Sequence, residues 1–345
     1  MIESVSLKNC GVHSNIEWKD LSRINLLIGE NGTGKTFILK TIYAAMRTIE
    51  LAHRGDLKKE AGAILPEKLL WTFQVESLGE LVNKESREKL SFKMKLDDKS
   101  FSYAFGKDTT KEIRLLESDF RDGRDADSVF VPAKEVLSLQ NVILKSREQD
   151  YIFGFDDTYL ELVRALQIPR KQGNNYNAFA SSRKDLRDVL DGSVDYDEKA
   201  RQWFYKKGNA RYSINTTAEG IKKIAVFDRL LANRYISPDS IIFLDEVETS
   251  LHPKAVVQFL RIIYELSKTG LQFFIASHSY FVIKALYLMA KRDSCDMAVL
   301  SLNIGEAPRH DNLLHGIPEN SIIDESVRLY EEEIALTMGH DYEND

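Results

Sequence analysis

Gly29-Glu30-Asn31-Gly32-Thr33-Gly34-Lys35-Thr36 stands between an apolar run at 24–28 and a helical pattern over 35–51, in which Ile38, Leu39, Ile42 and Met46 share one face. The stretch fits G-x-x-x-x-G-K-[ST] in the strand–loop–helix context that this motif requires. Its glycines let backbone N–H groups curl around a phosphate, and the helix start beyond them adds positive dipole. In a loop of this kind the lysine, here Lys35, reaches the β- and γ-phosphates, and the Thr36 hydroxyl is a Mg²⁺ ligand. Gly29, Asn31, Gly32, Thr33, Gly34, Lys35 and Thr36 are therefore the expected contacts to ATP and Mg²⁺, with Lys35 also acting on the reacting phosphate.

Ser240-Ile241-Ile242-Phe243-Leu244-Asp245-Glu246 reads as a buried strand that ends in two acids. Such a strand is expected beside the phosphate-loop strand in a parallel sheet, with Asp245 delivered to the Mg²⁺ at the carboxyl edge. Glu246, one residue on, is placed to orient or deprotonate the attacking water. Val247-Glu248-Thr249-Ser250-Leu251-His252-Pro253 follows as a turn into a helix. Pro253 suits the first turn, Thr249 or Ser250 could cap it, and His252 reads as a turn histidine. One strand later, Ala276-Ser277-His278-Ser279 sets His278 at a strand end, where an imidazole can sense a γ-phosphate.

Working outward, apolar strands alternate with helical patterns at both ends of the chain. This predicts an α/β fold, a P-loop NTPase with one mostly parallel central sheet interrupted by a long insertion. The expected ATPase core is 1–54 and 216–345, joined by a strand at 128–134. The expected inserted subdomain, helical with a β-hairpin, is 55–127 and 135–215. It holds the alternating runs 90–96 and 101–105, a loop at 172–177, and a short meander at 203–205 and 211–214.

The 345 residues, 43% apolar and 29% charged, suit a globular protein with a sizeable core. No apolar run approaches the ~20 residues that span a bilayer, and the N-terminus MIESVSLKNC lacks the marks of a secretion signal. Cys10 and Cys295, the only cysteines, exclude a disulfide framework and a cysteine metal cluster, and the cytoplasm is the expected compartment. A net charge of −6 gives no support for a dedicated nucleic-acid binder. His310, Asp311 and His315 read as an exposed polar loop rather than a metal site, and the acidic tail 341–345 reads as solvated charge.

GENGTGKT, IIFLDE, ETSLHP and ASHS, in this order, resemble the ABC-type ATPases of the SMC and DNA-repair branch. The likeness is strongest to stand-alone AAA family ATPases and to the ATPase half of the overcoming-lysogenization-defect nucleases. It covers 2–54 and about 128–302. The resemblance implies an SMC-head-like ATPase in which two copies, a homodimer or a higher even oligomer, close around two ATP molecules. It also implies a signature loop reaching the partner's γ-phosphate, at Thr216-Thr217-Ala218-Glu219-Gly220-Ile221-Lys222-Lys223. There Ala218 stands where the LSGGQ form has serine, while Gly220 and the helix start remain. After the strand near 128–131 the family shows a polar residue, for which Lys134 is the candidate ahead of Gln140. Leu7-Lys8-Asn9-Cys10 are weak candidates for adenine. The 43 residues after Leu302 are too few for the Toprim nuclease half of that family. By analogy the chain is expected to regulate a separate effector, a nuclease or toxin, in anti-phage defence. A DNA-repair or chromosome-maintenance ATPase binding nucleic acid, and a nucleotide sensor with little hydrolysis, are the alternatives.

Overall fold

The computed structural model describes residues 1–55, 58–171 and 177–338. The loop expected at 172–177 falls outside the described residues but for its last position, and the acidic tail at 341–345 falls outside them altogether. The strands are β1 (Ile2–Cys10), β2 (His13–Trp18), β3 (Ile24–Gly29), β4 (Leu90–Leu96), β5 (Lys99–Phe105), β6 (Leu115–Ser118), β7 (Val129–Val131), β8 (Ser193–Asp197), β9 (Gln202–Lys207), β10 (Ala210–Ser213), β11 (Ile241–Asp245), β12 (Gln272–Ser277), β13 (Ala298–Leu302) and β14 (Arg309–Asn312). The helices are α1 (Lys35–Leu51), α2 (Ala61–Phe73), α3 (Gln140–Leu144), α4 (Asp157–Gln167), α5 (Asn177–Leu190), α6 (Glu219–Ala232), α7 (Pro253–Ser267), α8 (Tyr280–Asp293) and α9 (Ser321–Met338).

The central sheet runs β14-β13-β3-β12-β11-β7, parallel throughout except for the antiparallel edge β14. Its strands are near-continuous apolar runs because both faces are covered. Alternate residues divide between two cores. Ile24, Leu26, Ile28, Ile242, Leu244, Phe273 and Ile275 join the helical layer of α4–α8. Leu27, Ile241, Phe243, Phe274 and Ala276 join the layer formed by α1 and a second sheet, β2-β1-β4-β5-β6. The expected hairpin pairs along β1, Val5 opposite Met94 and Leu7 opposite Phe92, so this part of 55–127 builds one face of that second core.

One expectation is corrected. β11 does not lie beside β3, because β12 sits between them and pairs with both. A parallel neighbour is reached by a crossover, and α7 carries the chain from β11 into that middle slot. The sequence reading also lacks β6, β8 and β14, and each is an edge strand. An edge strand with little to bury carries almost no alternation, as Ser193-Val194-Asp195-Tyr196-Asp197 illustrates with Val194 alone buried.

Beneath the second core, α1 is fastened by buried charge. Arg47 pairs with Glu50 at 2.6 Å, Asp127 at 2.9 Å and Glu161 at 3.2 Å, and Glu50 accepts from the Ser128 backbone N at 2.9 Å. Glu161 is held down to about 2 because Arg47 and Lys68 outweigh its burial. Buried ions of this kind persist only when fully paired, and here they lock α1 to β7 and α4.

Candidate nucleotide-binding site

β3, β12 and β11 finish level with one another. Asp245 is opposite Ala276, Ala276 is opposite Leu27, and Ser277 is opposite Ile28. Their ends therefore bring Gly29, His278 and the pair Asp245–Glu246 to one edge, with the histidine strand central.

The loop from Gly29 to Thr36 is closed on itself. Lys35 Nζ donates to the carbonyls of Gly29 at 2.7 Å and Glu30 at 2.8 Å, and Thr33 Oγ1 donates to Glu30 O at 2.8 Å. Burial pushes the Lys35 ammonium below its ordinary range, opposed by Glu246, Asp245, Glu248 and Glu30. Gly34 starts α1 with φ 82°, and a Cβ there would stand 2.6 Å from His13 Nε2. The β1–β2 turn thus lies directly on the loop.

Thr36 Oγ1 donates to both Asp245 oxygens, at 2.9 and 3.0 Å, although 209 positions separate them. Burial raises the Asp245 carboxyl above its usual range, with the Thr36 hydrogen bond pulling the other way. A hydroxyl and a buried carboxylate form the partial oxygen set that Mg²⁺ shares with phosphates and water. Among the described residues no cluster of three or more His, Cys, Asp or Glu could hold a metal by itself, His310, Asp311 and His315 included.

Glu246 has φ 47°, a left-handed conformation that costs a non-glycine residue about 1 kcal/mol. The strand hydrogen bond from Glu246 N to Ala276 O at 3.0 Å holds it there. Its Oε2 accepts from Thr249 Oγ1 at 3.1 Å, and its Oε1 stands 3.8 Å from His278 Nδ1. Strain at a named residue of this kind clusters at functional sites. Glu248 braces the histidine: its Oε1 accepts from Ser277 Oγ at 2.9 Å and His278 N at 3.1 Å, and lies 3.6 Å from His278 Nδ1.

At the start of α6, Ala218 and Glu219 are exposed and no side chain caps the helix. Gly220 is buried. A Cβ there would sit 2.8 Å from Ser250 O and 2.9 Å from Leu251 Cδ2 of its own chain, so glycine is needed for packing within the subunit. Lys134 is exposed, whereas Gln140 is committed to the core, accepting from Trp203 Nε1 at 2.7 Å. His252 caps α7, its Nδ1 accepting from Lys254 N at 3.2 Å.

Three residues take a place in the site that the sequence alone does not assign them. His13 abuts Gly34, its Nε2 is buried with no hydrogen-bond partner among the described residues, and burial lowers its pKa. Glu248 reads in the sequence only as part of a turn. Lys223 donates to the Glu246 carbonyl, and burial lowers its ammonium to about 8 against the pull of Glu248, Asp245 and Glu246. The available signal was Lys222-Lys223 leading straight into the buried run Ile224-Ala225-Val226-Phe227.

No curated protein sequence matches the chain. Among solved structures, an SMC head bound to the C-winged helix domain of ScpA superposes with a TM-score of 0.53 at 13% identity, over 90% of this chain and 97% of that one. The SMC head domain from Thermotoga maritima gives a TM-score of 0.48 at 13% identity, over 90% and 98% of the two chains. The sequence family described as "AAA domain, putative AbiEii toxin, Type IV TA system" matches residues 24–284, well over half of the chain. The chain belongs to this family of AAA domains, as an AAA-type ATPase domain similar in fold to SMC heads.

Proposed function

We propose that the chain binds ATP with Mg²⁺ at the edge formed by β3, β12 and β11, and hydrolyses it when two copies close on two nucleotides. The observation that carries this reading is the contact of Thr36 Oγ1 with Asp245 Oδ1 at 2.9 Å, beside a lysine already inside the loop. What a bound Mg²⁺ supplies is positive charge against the β/γ-phosphate oxygens. Thr36 and Asp245 would hold it.

The other steps belong to the chain's own groups. Lys35 trades the carbonyls of Gly29 and Glu30 for phosphate oxygens. Gly29, Asn31, Gly32, Thr33 and Gly34 cradle the phosphates through their backbone. Glu246 accepts a proton from water at Oε1, the oxygen that Thr249 leaves free. His278, steadied by Glu248, contacts the γ-phosphate. The exposed start of α6 at Ala218, resting on the buried Gly220, covers the nucleotide of the partner copy.

The core 1–54, 128–134 and 216–345 would do this chemistry. The segments 55–127 and 135–215 would pass closure to a separate effector, a nuclease or toxin, in cytoplasmic anti-phage defence. The family description, which sets an AAA domain in a toxin–antitoxin system, supports the toxin-related part of that assignment. The SMC head solved with the C-winged helix domain of ScpA, a protein of this fold with a bound partner, supports the partner-binding part. A nucleotide sensor with slow turnover is the second reading, favoured by alanine at 218 in place of a hydroxyl.

The test is Mg-ATP turnover with light scattering on the parent, Lys35→Ala and Asp245→Asn. Loss of turnover in both variants, with a weakened Mg²⁺ requirement for binding in the second, supports the reading. Parent-level turnover in a folded Lys35→Ala overturns it. Parent turnover close to zero with intact binding supports the sensor.

A further inference from the structure

α9 is an eighteen-residue helix in which no residue is buried. Its root is firm: Asn320, itself buried, accepts from Ile322 N at 3.1 Å and donates to Asn303 Oδ1 at 3.0 Å. Ile322 and Ile323 pack partly against the helical core. Beyond that first turn the helix carries Val327, Tyr330, Ile334 and Met338, which continue from Ile323 at spacings of four, three, four and four and so form one stripe. Val327 is 47% exposed, Tyr330 63% and Met338 71%. A lone amphipathic helix in water draws most of its stability from burying such a stripe, and a contiguous exposed apolar patch marks an interaction surface.

The charges say what covers it. Asp324 and Glu331 border the stripe on one side, and on the other Glu333 stands beside the exposed Leu329 and Leu336. The helix holds five acids and a single cation, Arg328. That cation is already paired in cis, with Glu325 at 2.8 Å and Glu332 at 3.1 Å. A second copy of α9, five acids to one paired cation, would therefore bring acids against acids with no free cation to offset them, which disfavours the pair.

We propose that α9 is a docking helix whose occupant is a basic amphipathic helix of another protein. Leucine-like side chains of the occupant meet the Ile323–Met338 stripe, and its Lys or Arg residues meet Asp324, Glu331 and Glu333. The stripe spans about 22 Å at 1.5 Å per residue, so the occupant needs about four turns. No residue of α9 belongs to the nucleotide site, and the inference stands whether or not ATP is hydrolysed.

The probe is a synthetic helical peptide of the same length, leucine in its stripe and lysine at its flanks, titrated against the full chain. It should bind saturably, and its glutamate-flanked counterpart at least about tenfold more weakly. Val327→Glu with Ile334→Glu should cost the lysine peptide about tenfold or more, while ATP turnover stays at the parent rate. Glu331→Lys with Glu333→Lys should reverse the preference between the two peptides. The proposal is overturned if the lysine peptide fails to saturate or binds the double-glutamate variant as it binds the parent. It is also overturned if light scattering shows a parent self-association that this variant abolishes, since a second copy would then cover the stripe. Sedimentation of the parent with phosphatidylcholine vesicles, lost in the variant, would overturn it in favour of a membrane.

Discussion

At the start of α1 the chain supplies its own partners. Lys35 holds Gly29 and Glu30, Thr36 holds Asp245, and His13 lies on Gly34. At the start of α6 the upper face is bare: Ala218 and Glu219 meet solvent without a cap, and the close contact lies beneath, where Gly220 rests on Ser250 and Leu251. Both are helix N-termini with dipole and free N–H groups to offer an anion. On the proposed function, the first is a finished half of a clamp and the second is a half without its counterpart. On the proposal above, the missing counterpart is the nucleotide of another copy.

Glu246 belongs to the finished half, and its removal should have the largest effect. Glu246→Gln keeps the hydrogen-bonding reach but not the base, so turnover should fall ~10²–10⁴-fold while ATP still binds. Unhydrolysed Mg-ATP should then hold two copies together, read by light scattering as a larger species than in nucleotide-free protein. Normal turnover would remove Glu246 from the mechanism. Lost turnover without a change in size would leave the α1 half standing and break its link to α6.

Lys223 connects the halves, rooted in α6 and donating to the Glu246 carbonyl. Its folded value of about 8 lies below its ordinary 10.5 because burial outweighs the nearby carboxylates. The unfolded chain therefore binds more protons between those values, and stability rises with pH across that window. Below pH 8 the cost is fully present, on the order of 3 kcal/mol. Lys223→Met should raise urea-measured stability at pH 7 by up to that amount and flatten the rise from pH 8 to 10. A parent whose stability is flat there would show that the carboxylates already hold the ammonium.

The finished half was legible in the sequence because its chemistry needs fixed residue types at fixed spacing, as in Gly29 to Thr36. Asp245 ends the apolar run Ile241-Ile242-Phe243-Leu244, with Glu246 next, and His278 follows a strand that holds the apolar run Phe273-Phe274-Ile275-Ala276. The middle position of β12 was not legible, since neighbours in a sheet are set by crossovers and leave no mark on β11 or β3 themselves. Lys223 and His13 were missed for a related reason: a lysine or histidine becomes a site residue only through the tertiary neighbours that bury it. Gln140 shows the converse, a glutamine near the expected place that Trp203 Nε1 takes for the core.

Gly220 tests whether the base of the α6 half is built as described. Gly220→Ala places a Cβ against Ser250 O and Leu251 Cδ2 at under 3 Å, an overpacking that should cost about 1–3 kcal/mol by urea denaturation. The loss should appear in the lone chain without nucleotide. A variant of parent stability that fails to pair with Mg-ATP would instead assign the glycine to the partner's phosphate.

The smallest effect is the most discriminating. α7 is capped by His252, while the adjacent α6 has alanine at its N-cap and forgoes the stabilisation that a capping side chain offers. Ala218→Asn supplies that cap, with its side-chain oxygen accepting from a first-turn N–H, and should stabilise the lone chain by about 0.5–1 kcal/mol. The same oxygen then occupies donors that a partner's phosphate would need. If the α6 start is left open for a nucleotide, the variant should be more stable by urea denaturation yet pair less with Mg-ATP, in parent and Glu246→Gln backgrounds alike. If it gains stability and pairs as well as the parent, the bare start of α6 is only an unoptimised helix end, and the second half of the clamp lies elsewhere.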